Sequence, residues 1–93
     1  MTPPDIFREL SKLAHRLGIV VRFEPFDARV IEGRGGLCRL RGVPTVMADA
    51  GLPLLDKIGV LTEALATFNL EVLYVPPLIR ARISRRTRAL TPR

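Results

Sequence analysis

Any chemistry in this 93-residue chain rests on few side chains: it holds one histidine, His15, and one cysteine, Cys38. A structural zinc site takes about four His or Cys ligands and a catalytic one about three protein ligands. His15 and Cys38 together fall short of either. His15 lies between Lys12 and Arg16 and reads as a surface residue. Cys38 sits in the apolar run Leu37-Cys38-Arg39-Leu40 and reads as a packed, inert thiol. Ser11 and Ser84 belong to no Gly-x-Ser-x-Gly elbow. Gly33-Arg34-Gly35-Gly36 suggests a phosphate cradle, but it leads into a strand, whereas phosphate is gripped by the N-terminus of a helix. The nine carboxylates are scattered, mostly beside basic residues, and no pair stands out as an acid–base couple. The expectation is a protein with no catalytic residues, no metal and no cofactor.

The elements that would position these residues follow from apolar spacing. Thr2 caps a helix over 3–17, with Pro3 at its first position, Asp5 in its first turn and Gly18 beyond its end. Ile6, Phe7, Leu10, Leu13, Ala14 and Leu17 form its buried face. Residues 19–26 read as a strand with Ile19, Val21 and Phe23 on one face and Val20, Arg22 and Glu24 on the other. A glycine-bearing loop leads into a hairpin: strand 36–41, a turn at Arg41-Gly42-Val43-Pro44, and strand 45–49. A second helix spans 53–68, burying Leu55, Ile58, Leu61 (or Thr62), Leu65 and Phe68. An extended apolar run, 70–75, ends at Pro76-Pro77, and a basic helix or tail covers 78–89.

These elements predict an α+β fold: a helix, a three-stranded, mainly antiparallel sheet, a second helix on the same face, and a basic C-terminal segment. The expected domain is 1–77, with 78–93 appended. The expected core is Phe7, Leu10, Leu13, Leu17, Val21, Phe23, Leu40, Val46, Ile58, Leu61, Leu65 and Phe68. Apolar residues make up 47% of the chain, with four Phe, one Tyr and no Trp, so this core is mostly aliphatic.

The net charge of +6 is unevenly placed. Residues 1–79 hold nine basic and nine acidic residues, whereas 80–93 hold six arginines and no acid. The surplus therefore belongs to the C-terminal segment. One thiol makes no internal disulfide and asks for no oxidising compartment. No segment reads as a membrane span or a signal peptide, so the expected location is the cytoplasm.

Several short motifs carry a resemblance over residues 6–75. Leu17-Gly18-Ile19-Val20, Gly35-Gly36-Leu37, Val46-Met47-Ala48-Asp49 and Leu52-Pro53 with Lys57 occur in an order similar to the core of ImmA/IrrE-type zinc metallopeptidases. In that family a His-Glu-x-x-His helix follows, its two histidines holding zinc and its glutamate activating the bound water. Here that helix reads Val60-Leu61-Thr62-Glu63-Ala64-Leu65-Ala66. Glu63 keeps the glutamate slot, and Thr62 and Ala66 replace both histidines. The resemblance thus implies a degenerate, non-catalytic, zincin-like scaffold. The Gly-Gly-Leu-Cys-Arg-Leu-Arg-Gly, Leu-Pro and Val-Pro-Pro sequences also resemble small bacterial proteins.

Two functional readings follow. The first is a protein-interaction or regulatory module, partnered by another protein or by itself. Leu52, Leu54, Leu55 and Val60, with Leu61, almost surround the start of the second helix, more apolar surface than one small core absorbs. The alternative is nucleic-acid binding through Arg80, Arg82, Arg85, Arg86 and Arg88, helped by Arg39 and Arg41. Neutralising about five phosphates gives a log–log salt slope near −4 to −5. No aromatics are interleaved for base stacking. An anionic membrane surface ranks last, because the apolar face of Ile79, Ile83 and Leu90 is thin. No small-molecule substrate is indicated.

Overall fold

A computed structural model of the chain describes residues 1–25 and 35–90, with side chains described through residue 87. The expectations placed on Phe26, Gly33, Arg34 and the side chains of Arg88 and Leu90 lie outside these residues.

Helix α1 (Pro3–Arg16) starts at the expected cap. The Asp5 amide donates to Thr2 Oγ1 (3.4 Å) and the Thr2 amide donates back to Asp5 Oδ2 (3.1 Å), a reciprocal capping box. The helix ends in a Schellman turn: Ile19 N donates to Ala14 O (2.9 Å), Gly18 N donates to His15 O (3.1 Å), and Gly18 takes φ +75°. That reversal drops Ile19 into the core and launches strand β1 (Val20–Glu24).

Strands β2 (Gly35–Leu40) and β3 (Val43–Asp49) form an antiparallel hairpin. Its turn is shorter than expected, with only Arg41 and Gly42 outside the ladder. Both have positive φ, 52° and 81°, as a two-residue hairpin loop of the primed type requires. The sheet order is β1-β3-β2 and the sheet is mixed: β3 pairs parallel with β1 and antiparallel with β2. The α+β class expected from the sequence is thus seen, with one of its two strand pairs parallel. The hairpin docks with β3 inward, and its apolar Val46 and Ala48 take the central, best-covered place.

Helix α2 (Leu54–Leu65) is three residues shorter at its end than expected. Its last turn tightens into Thr67 N to Ala64 O and Phe68 N to Leu65 O bonds. Residues 70–73 form a turn and the run to 75 is not a strand: Leu73 N donates to Leu70 O, and Glu71 N to the Asn69 side chain. Helix α3 (Pro77–Leu90) follows.

All three helices pack on one face of the sheet or on each other. Phe7 of α1 meets Phe23 of β1 at 5.6 Å between centroids, and Lys57 of α2 sits 5.3 Å from the centre of the same ring. The core joins Ile6, Leu10, Leu13, Val46, Leu61 and Leu65 with Ile79 and Ile83 of α3. The last two make α3 part of the same core as residues 1–77. Phe7, Leu17, Val21, Phe23 and Phe68 are half-buried against it. Leu40, expected inside, is 41% exposed. It lies on the sheet face away from the helices, where no second layer of described residues covers it.

Candidate interaction surfaces

The cluster named from sequence is largely dissolved by packing. Val60 is 3% exposed, and Leu52 and Leu54 are half-buried against the core. Leu55 alone stands out, at 69% exposed. Val60 is therefore corrected from an interaction residue to a core residue. The reason is tertiary: α2 touches α1, α3, β2 and β3, so several of its flanks are covered at once.

The arginines do not form one stripe. Arg39 folds back to donate to Gly42 O (2.8 Å), and Arg41 is exposed at the turn. Arg80 is half-buried and donates to Leu73 O (2.9 Å), holding the 70–73 turn. Arg86 pairs with Glu63 at 2.9 Å. Arg82 is half-buried and Arg85 exposed; the side chain of Arg88 lies outside the described set. No contact joins β2 to α3, so Arg39 and Arg41 stand apart from the helical arginines.

Thr62, in the first histidine slot of the resemblance, is buried and donates to Ile58 O (2.7 Å). Ala66, in the second, is buried, and Glu63 between them faces α3 through Arg86. Among the described residues no three His, Cys, Asp or Glu side chains gather where they could hold a metal ion. Ser11 and His15, one helical turn apart, line the same open depression with Gly18–Val21. Among the described residues no carboxylate lines that depression to orient the imidazole.

Two surfaces were missed by sequence reasoning. The first is the hairpin end of the outer sheet face. Register places Val20 and Cys38 on either side of Thr45, and Leu40 opposite Val43. Val20, Leu40 and Val43 are 44%, 41% and 40% exposed, and Cys38 is exposed. The thiol expected to be packed is thus at the surface, because β2 is an edge strand and its outer face has no covering layer of described residues. The signal was the alternation Cys38/Leu40 against Leu37/Arg39, which left open which of two apolar faces the helices would take.

The second is the outer edge of β2, which no described strand pairs. Leu40 and Val43 flank a two-residue turn, so they form a hydrogen-bonded pair, and pairs alternate from there. Gly36 and Cys38 then bond to β3, whereas the backbone groups of Leu37 and Arg39 point away from it. Pro44 fits this register: it sits opposite Arg39, where β3 needs no N–H toward β2. Beside this edge a groove of about 190 Å³ runs between β2 and α2, lined by Leu37, Val60, Glu63, Ala64 and Thr67.

No family model matches the chain, and neither does any curated protein or solved structure.

Proposed function

We propose that the chain is a non-catalytic protein-interaction or regulatory module, acting through its sheet. The supporting observation is the apolar patch of Val20, Leu40 and Val43, with Cys38 beside them, on a sheet face that no described helix covers. In so small a protein, apolar side chains grouped on an open sheet face are commonly met by a partner. The order helix, strand, hairpin, helix supports kinship with the ImmA/IrrE-type scaffold as part of this reading. With Thr62 and Ala66 in the histidine slots, such a scaffold would work by contact alone. No described helix is long and apolar enough to cross a membrane. A cytoplasmic setting belongs to the proposal and suits a single thiol at the surface.

The test is capture from native lysate, with and without nuclease, by the wild type and by a Val20→Ser/Leu40→Ser variant. The expected result is a protein retained after nuclease and lost with the variant, whose circular dichroism stays native. Retention that vanishes on nuclease treatment and is indifferent to the variant favours the nucleic-acid alternative. That alternative is weakened by Arg80 and Arg86, which are engaged within the fold.

A further inference from the structure

We propose that residues 72–78 and the outward face of α3 form a docking surface for an anionic lipid bilayer. This surface is separate from the outer sheet face and does not depend on the function proposed above.

Residues 72–79 carry no charge, between Glu71 and Arg80. Their side chains divide between inside and outside. Val75 and Ile79 are buried in the core, and Leu73 packs against it. Val72, Tyr74 and Leu78 are left outside, at 88%, 72% and 48% exposed, with Pro77 exposed beside them. Val72 and Tyr74 are the two most exposed large apolar side chains among the described residues. The backbone beneath them is held from two helices: Arg16 donates to Tyr74 O (3.0 Å) and Arg80 to Leu73 O (2.9 Å). The protrusion is thus preorganised, and an ordered surface loses little conformational entropy on docking.

Charge around the protrusion selects its occupant. Helical spacing places Leu78, Ala81 and Arg85 on the face of α3 opposite Ile79 and Ile83, with Arg82 on the flank. Arg80 and Arg86 are engaged within the fold, whereas no carbonyl or carboxylate of a described residue holds Arg82 or Arg85. Seven positions of helix set Arg85 about 10 Å from Leu78 along the axis. An interfacial apolar face sinks by a similar depth, so Leu78 enters the acyl boundary while the arginines stay among the headgroups. On the α1 side, Tyr74 shares a depression with Lys12 and Arg16. The two acids bordering this region lie beside cations: Glu9 pairs with Lys12 (3.7 Å), and Glu71 lines a depression with Arg80. An amphipathic ring, aliphatic side chains and arginines in one place suit the boundary between acyl chains and anionic headgroups. Nucleic acid would use the arginines but leave Val72 and Leu78 in water. Ile79 and Ile83, the apolar face that the sequence offered to a membrane, are in the core, so the docking residues are others.

The test sediments the full chain with vesicles of phosphatidylcholine containing about one-third phosphatidylglycerol, and with phosphatidylcholine alone. Binding is expected to the first and not to the second, and to fall with added salt. Tyr74 is the sole tyrosine and the chain has no Trp, so its fluorescence reports this site directly. Lipids brominated on the acyl chain are expected to quench most of that emission. Val72→Asp is expected to weaken vesicle binding about tenfold, because a carboxylate replaces the inserted side chain. Arg82→Ala and Arg85→Ala are each expected to weaken it roughly fivefold. All three variants sit on the surface and should keep native circular dichroism. Val20→Ser/Leu40→Ser is expected to bind vesicles as the wild type does, which separates the two surfaces. Equal binding to neutral and anionic vesicles, or binding to neither, overturns the inference. Anionic binding that is indifferent to Val72→Asp and leaves Tyr74 unquenched is adsorption by charge alone, and overturns it equally. Retention of duplex DNA through Arg82 and Arg85 without vesicle binding also overturns it and assigns those arginines to nucleic acid.

Discussion

At the scale of single residues, backbone conformation makes the sharpest statements. Gly35 has φ +110°, and a Cβ there would collide with the Met47 carbonyl oxygen and the Ala48 Cα. Gly35→Ala is expected to cost about 1–3 kcal/mol from backbone strain alone, measured by denaturant unfolding. Arg41, at φ 52°, occupies a position that favours Asn or Gly. Arg41→Asn is expected to raise stability by about 0.5–1 kcal/mol through relief of that strain. A loss would show that the Arg41 side chain has a structural role. Asp5 has its pKa held below 3.8, first by the Thr2 hydroxyl and amide, then by Arg8. A lowered folded-state pKa stabilises above the unfolded value and is lost as pH falls through the folded one. The α1 cap should therefore hold at neutral pH and release only in acid below 3.8, which an NMR titration of Asp5 reads directly.

At the scale of elements, α2 organises the fold. Leu61 and Leu65 are almost wholly buried, beneath the sheet and between the other helices. Leu65→Ala is expected to cost about 2–5 kcal/mol; a loss under about half a kcal/mol would contradict its place in the core. Helix α3 is bound through Ile79 and Ile83, so Ile79→Ala belongs in the same range. Removal of 77–93 is for that reason expected to unfold the domain, seen as loss of its cooperative thermal transition. The elements themselves were largely legible. Caps and apolar periodicity located α1 to within one residue at its end, and the start of α2 to within one. What misled was the run 70–75, whose alternation imitates a strand. Asn69 instead opens a local turn by accepting from the Glu71 amide, and Arg16 and Arg80 hold the segment through the Tyr74 and Leu73 carbonyls; the Arg16 bond, from far away in the chain, has no local signature.

At the scale of the whole molecule, the apolar surplus around α2 and the basic end turn out to be linked. The sequence placed Val60 and its neighbours at a partner surface and 78–93 outside the domain. In the fold α3 packs against α2, joins its Ile79 and Ile83 to the core that contains Val60, and turns Arg86 onto Glu63. The exposed apolar surface then lies on the other side of the sheet, at Val20, Leu40 and Val43.

Read alone, the amino-acid order determined what is local: the Thr2–Asp5 cap, the Gly18 reversal, the hairpin and the scarcity of imidazole and thiol ligands. These depend on neighbours within a few positions, whose sterics and hydrogen bonds are written in residue type. Tertiary structure alone decided that β3 lies between β1 and β2, which sheet face the helices cover, and that Cys38 and Leu40 are outside while Val60 is inside. Burial is a property of what packs from elsewhere in the chain. On a strand with two apolar faces, periodicity marks both and the helix layer chooses between them.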